Sequence, residues 1–111
     1  MESKGYNGWA NYETWCVKLW MDNEEGSYRH WQAASEEAWD QAEDDRSSRH
    51  QTRKQSAENI LADRLLEEHE EAKPLVGGVF GDLLGAAMGE VDWHEIAGAL
   101  LEDYKDEQEP S

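Results

Sequence analysis

Apolar residues in this chain recur at steps of three and four, and seldom at steps of two. That spacing lines one side of a helix with its period of ~3.6 residues, not one face of a strand. It predicts an all-α fold. The expected architecture is a compact bundle of four or five short helices with a tryptophan-rich core. A small sheet built from the N-terminal residues is the structural alternative. Six tryptophans matter here, because only 38% of the residues are apolar, against a usual ~45–50%. Each aromatic can bury ~150–250 Å², so a few rings offset the shortage. The length of 111 residues suits one acidic helical domain over residues 1–111.

The helices can be placed from their ends. Gly5-Tyr6-Asn7-Gly8 reads as a turn, with Asn-Gly its strongest part. Asn11 then reads as the N-cap of a first helix from Tyr12 to about Asn23. Tyr12, Trp15, Cys16, Leu19 and Trp20 form one wide stripe on it, expected to face the core. Cys16 is therefore expected to be a small buried hydrophobe. Gly26 is expected to end this helix and Ser27 to cap a second, from Tyr28 to about Asp44. One face of the second carries Tyr28, Trp31, Ala34, Ser35, Ala38, Trp39 and Ala42, small residues between large ones. The stretch Arg46–Gln55 holds no apolar residue and is either a loop or a solvated helical continuation. A third helix covers Ser56–Ala72, and Pro74 disfavours helical backbone at Lys73. A fourth fits Val79–Met88, with Gly89 as its stop. A fifth starts after Asp92, where Asp92-Trp93-His94-Glu95 has the pattern of a capping box. Residues 106–111 are expected to be loose.

Charge is the second strong feature. Twenty-six acids against ten bases give a formal net charge of -16, which opposes direct contact with nucleic-acid phosphates. Residues 36–45 hold six acids and no base, whereas residues 46–54 hold four bases and no acid. Those bases either neutralise their acidic neighbours or form a local anion-binding patch. Glu36, Glu37, Asp40, Glu43 and Asp44 on the second helix are candidate partner-binding residues. Glu67, Glu68, Glu70 and Glu71 on the third are candidates too. Acids three or four apart recur about every 5 Å along a helix face, and DNA carries one charge per ~1.7 Å of axis. Such a face can compete for a basic nucleic-acid groove. The plain alternative is that the acids serve solubility. The expected partner is a protein complex with a basic nucleic-acid-binding surface, with no direct nucleic acid and no membrane.

Other chemistry finds little support. No apolar run approaches the ~20 residues that span a bilayer. Met1–Trp9 lacks the apolar core of a signal peptide, so a cytoplasmic location is expected. Cys16 is the lone cysteine, which rules out an internal disulfide or a cysteine-based zinc site. His30, His50, His69 and His94 show no His-x3-His pair and no Glu-x-x-His unit. Neither a nucleophile elbow nor a Gly-x4-Gly-Lys phosphate loop occurs. No catalytic residue, metal or cofactor is expected, and the chain reads as a binding protein rather than an enzyme.

Residues 6–23 read YNGWANYETWCVKLWMDN. They resemble a motif, roughly YNGW-x-NYETW-x-V-x-LW-x-x-N, of a group of small proteins carried by phages, plasmids and neighbouring prokaryotic genomes. Asp82-Leu83-Leu84 and Val91-Asp92-Trp93-His94-Glu95-Ile96-Ala97 resemble the later part of the same group. The likeness spans about a quarter of the chain and implies no catalytic residue. It does imply a setting on mobile elements, where small acidic proteins often inhibit host defence, as anti-CRISPR and antirestriction proteins do. With the charge, this gives the leading expectation: a non-enzymatic inhibitor that occupies a basic surface as a DNA mimic. The other expectation is an interaction module acting through Asn7, Trp9, Asn11, Tyr12 and Glu13. The motif also has a purely structural explanation, with Asn7-Gly8 as a turn, Asn11 as a cap, and Trp9, Trp15 and Trp20 in the core.

Overall fold

The computed structural model describes residues 6–44 and 52–108, with side chains over 6–42 and 52–105. Within them lie five helices: α1 (Tyr12–Asn23), α2 (Glu25–Asp44), α3 (Arg53–Ala72), α4 (Gly78–Glu90) and α5 (Trp93–Gln108). The all-α expectation holds. The alternative N-terminal sheet reduces, among the described residues, to one antiparallel bridge between Tyr6 and Trp9. Asn7 (φ 47°) and Gly8 (φ 89°) both take positive φ, which is the type I′ geometry that Asn-Gly favours. Tyr6 and Trp9 then exchange both backbone hydrogen bonds, at 2.9 and 2.7 Å.

Most of the core comes from α2, α3 and α5. On α2 the buried face is Trp31, Ala34, Ser35, Ala38 and Ala42, as its spacing predicts. Its small side chains let α3 and α5 approach closely. Leu61 and Leu65 of α3 and Ile96 and Leu101 of α5 are fully buried against it, each worth ~1.5–3 kcal/mol of transfer free energy. Ser35 sits in this apolar setting without cost, because its hydroxyl donates to the Trp31 carbonyl at 2.7 Å. Trp9, Trp39 and Trp93 pack half-buried at the edges.

Several helix ends differ from expectation. Gly26 does not end α1, and Ser27 does not cap α2. A single extended residue, Glu24 (φ -103°, ψ 120°), makes the break, and α2 begins at Glu25. Glu25 places a negative charge in the first turn, where the helix dipole favours it. α3 starts at Arg53 because Thr52 and Gln55 form a reciprocal capping box that the apolar spacing does not reveal. Gly89 lies inside α4, which continues to Glu90. It stops at Val91, a buried residue whose N–H bonds the Met88 carbonyl. Gly81 is needed in the first turn of α4, since a Cβ there would lie 2.2 Å from the Val76 carbonyl oxygen. α5 runs to Gln108, and residues 109–111 lie outside the described residues. Of the stretch Arg46–Gln55, residues 46–51 also lie outside them.

The largest departure is the rotation of α1. Its buried residues are Thr14, Lys18 and Met21. Tyr12, Leu19 and Trp20 are exposed, Trp20 to 61%, and Trp15 and Cys16 are half-buried. The expected stripe therefore faces outward. Thr14 supplies the reason. Its hydroxyl donates to Asn11 Oδ1 at 2.6 Å and accepts from the Asp92 N–H at 2.9 Å. Asn11 Oδ1 also accepts from the Thr14 N–H, and Asn11 Nδ2 donates to the Glu90 carbonyl at 2.7 Å. Nearby, Glu95 accepts the Ala10 N–H at 2.9 Å. These bonds tie the start of α1 to the α4–α5 joint and point Thr14 inward. Lys18 and Met21 follow at four and seven residues along the same side. Lys18 tolerates burial because its ammonium reaches Asp22 at 2.8 Å while its stem packs inside. Trp15 finds partners instead in Tyr6 and Tyr12, with ring centroids 4.9 and 5.6 Å away.

Replacing Thr14 by Val keeps the shape but removes two hydrogen bonds, the one accepted from the Asp92 N–H and the one donated to Asn11. Urea denaturation of Thr14→Val should show a loss of ~1–3 kcal/mol, and Thr14→Ser should recover most of it.

Candidate functional site

Two surfaces stand out, one acidic and one apolar. The acidic one lies on α2 and α3, which pack side by side. Arg64 joins their acid rows: its Nη1 meets Glu37 of α2 at 2.6 Å, and its Nε meets Glu68 of α3 at 2.9 Å. Glu68 also accepts from His30 Nε2 at 2.8 Å. Asp40 lies 4.0 Å from Arg53, and Glu70 lies 3.2 Å from Lys73. Glu67, Glu70 and Glu71 border a shallow depression on α3 with Asp63 and Leu66. Glu36 is exposed on the flank of α2 that faces α5. Burial there, and the charges of Glu36 and Asp40, push the Tyr104 phenol up from its ordinary value. The side chains of Glu43 and Asp44 lie outside the described residues. The candidate acids thus fall into two groups. Glu37, Asp40, Glu68 and Glu70 have cationic partners. Glu36, Glu67 and Glu71 have no ion pair among the described residues.

The bases entering α3 serve mainly as internal partners. The Arg53 guanidinium lies 4.2 Å from the centre of the Trp39 ring and its Nε donates to the Trp39 carbonyl at 3.0 Å. Lys105 covers the same ring at 5.0 Å. Lys54 pairs with Glu102, which raises the lysine and lowers the carboxyl. Self-neutralisation therefore describes Arg53 and Lys54, while Arg46 and Arg49 lie outside the described residues.

The apolar surface centres on α4 and was hidden from sequence reasoning by the expected inward stripe of α1. None of the α4 side chains is buried. Val79, Phe80 and Leu83 are 61–69% exposed. Between α1 and α4 lies an open groove of about 230 Å³, lined by Tyr12, Cys16 and Val17 on one side and Leu84, Ala87 and Met88 on the other. Cys16 is half-buried here rather than buried in the core. Its contact with the Tyr12 hydroxyl, four residues earlier, raises the phenol. A helix that is apolar on all sides is usually a buried one, so the exposure of α4 was not legible in its composition.

The histidines have structural surroundings. His69 stacks on Trp31 at 6.0 Å, lies 5.0 Å from Trp93, and donates from Nδ1 to the Leu65 carbonyl at 2.8 Å. Among the described residues no group of three or more His, Cys, Asp or Glu is placed to hold a metal ion. No helix among them is long and apolar enough to cross a membrane.

Burial alone would push Glu68 up, but its hydrogen bonds to Arg64 and His30 outweigh this and hold it below its ordinary 4.5. A depressed carboxyl stabilises the fold above its unfolded pKa, and that contribution is lost as pH falls through the folded value. Glu68→Gln should therefore flatten the fall in stability below about pH 4.5. Urea midpoints across that range read the effect directly.

Comparison with curated proteins and with solved structures gave no match. One family model matches residues 2–106, nearly the whole chain. The chain therefore belongs to DUF7249, a family of unknown function.

Proposed function

We propose that this protein acts by binding, and that its acidic α2–α3 layer occupies the basic nucleic-acid-binding surface of a protein complex. The mobile-element setting implied by the N-terminal motif suggests a defence complex as target, of the kind met by anti-CRISPR or antirestriction proteins. One observation carries the reading. α2 and α3 have 20 residues each, so each is ~30 Å long, and the layer they form matches roughly nine base-pair steps of DNA. Their described side chains include ten acids and four bases, so the layer stays negative despite its ion pairs. The cations of those pairs are half-buried, but their carboxylates Glu37, Asp40, Glu68 and Glu70 are open to solvent. The cations of a partner can therefore approach those carboxylates from the solvent side.

A second reading uses the Trp/Tyr motif as the docking element. Trp20, at 61% exposure, favours it. Asn11 and Thr14 serve the internal joint instead, so only part of the motif faces outward.

Capture from host lysate with the tagged chain separates the two. The acidic-layer reading expects a nucleic-acid-binding complex that is held at low salt and released at high salt. Duplex DNA should displace it. Changing Glu36, Glu67, Glu70 and Glu71 to Lys should abolish capture with the helical circular dichroism unchanged. Capture that survives both high salt and this charge reversal contradicts the acidic-layer reading and supports the motif.

A further inference from the structure

The groove between α1 and α4 has a regular construction. Tyr12, Cys16 and Trp20 repeat every four residues along one side of α1, and Phe80, Leu84 and Met88 do so along α4. Asn11, at the start of α1, holds the carbonyl of Glu90, at the end of α4, so the two rows run in opposite directions. Tyr12 and Cys16 face Leu84 and Met88 across the groove. Trp20 and Phe80 continue the two rows at their other end, where both are more than 60% exposed. Each row is ~12 Å long at ~1.5 Å per residue, which matches two turns of a third helix laid between them. An amphipathic helix binds such a groove through apolar residues three and four apart.

The charges around the groove specify the third helix further. Glu13 is in the lining. The charged residues of α4 are Asp82 and Glu90, with no base. The lone base of α1, Lys18, is turned inward against Asp22. The two walls therefore offer carboxylates and no accessible cation, on a chain of net charge -16. A second copy would bring like charges to this border, whereas a helix flanked by Lys or Arg complements it. We propose that the α1–α4 groove is a docking site for a basic amphipathic helix of a partner protein. This site is separate from the acidic α2–α3 layer and does not depend on the function proposed for that layer.

The test uses three synthetic peptides of about 18 residues, a length that forms several helical turns. The first has leucines at three- and four-residue spacing among lysines. The second has the same composition with the leucines shuffled. The third replaces the lysines with glutamates. Affinities come from titration calorimetry on the whole chain, with sedimentation of the protein alone alongside. The patterned basic peptide should bind at least about 10-fold more tightly than the shuffled one, and the acidic one should not bind. Phe80→Ser should remove that preference. Trp20→Ala, in the opposite row, should weaken the same peptide. Both side chains are exposed, so the circular dichroism of each variant should match the parent. Changing Glu67, Glu70 and Glu71 to Lys should lower affinity for both basic peptides and keep the preference between them. Equal binding of patterned and shuffled peptides overturns the proposal, since it reports net charge alone. A preference that survives both groove variants also overturns it. So does a dimer of the protein alone that Phe80→Ser dissociates, because the groove is then covered by a second copy.

Discussion

The Thr14 hydroxyl decides how this molecule presents itself. It donates to Asn11, at the cap of its own helix, and accepts from the backbone of Asp92, at the entry to α5. Both partners are fixed by other contacts, so the threonine has one place to be. A buried hydroxyl without partners would cost free energy, which makes the inward position of Thr14 conditional on the joint being made. Once Thr14 is inside, helical geometry places every other residue of α1. Lys18 and Met21 turn in, and Tyr12, Leu19 and Trp20 turn out.

The division of the surface follows from that rotation. The core of α2, α3 and α5 is built from Trp31, Ile96, alanines and leucines, and α1 adds Met21, with Val17 packed against it. The outward side of α1 then lies beside α4, a helix with no buried side chain. Together they make an apolar edge with few charges. The acids collect elsewhere, above all on α2 and α3, where Arg64 ties the two rows together. One small chain thus carries an apolar groove and a negatively charged layer on different helices. Interfaces combine buried apolar anchors with charge complementarity, and this fold supplies both in separate places.

Much of this arrangement was legible in the sequence. Asn11 marked the start of α1, and the small residues of α2 marked its buried face. Asp92 capped α5 as its spacing suggested, accepting the Glu95 N–H at 3.0 Å. The rotation of α1 was not legible, because apolar periodicity identifies a stripe without saying what it faces. The information lay in Thr14 and in Asp92, 78 residues away. Glu95 likewise looked like a local capping residue, yet it accepts the Ala10 N–H from across 85 residues. Glu36, Glu37 and Asp40 lie exposed on α2, but the pairing of the acids depends on how α2 and α3 pack. Nothing in the sequence around Arg64 pointed to Glu37, 27 residues away. A capping box at Thr52 and Gln55 was available as a signal and was masked by the surrounding run of charge.

The outward rotation of α1 can be measured directly by hydroxyl-radical footprinting with mass spectrometry on the folded chain. Trp20 and Met21 are adjacent, and the rotation puts them on opposite sides of the surface, at 61% and 4% exposure. Rapid oxidation of Trp20 with Met21 protected, despite the high intrinsic reactivity of methionine, is the predicted result. Protection of Trp20 with oxidation of Met21 would contradict the role of Thr14 in orienting the helix, and with it the apolar groove.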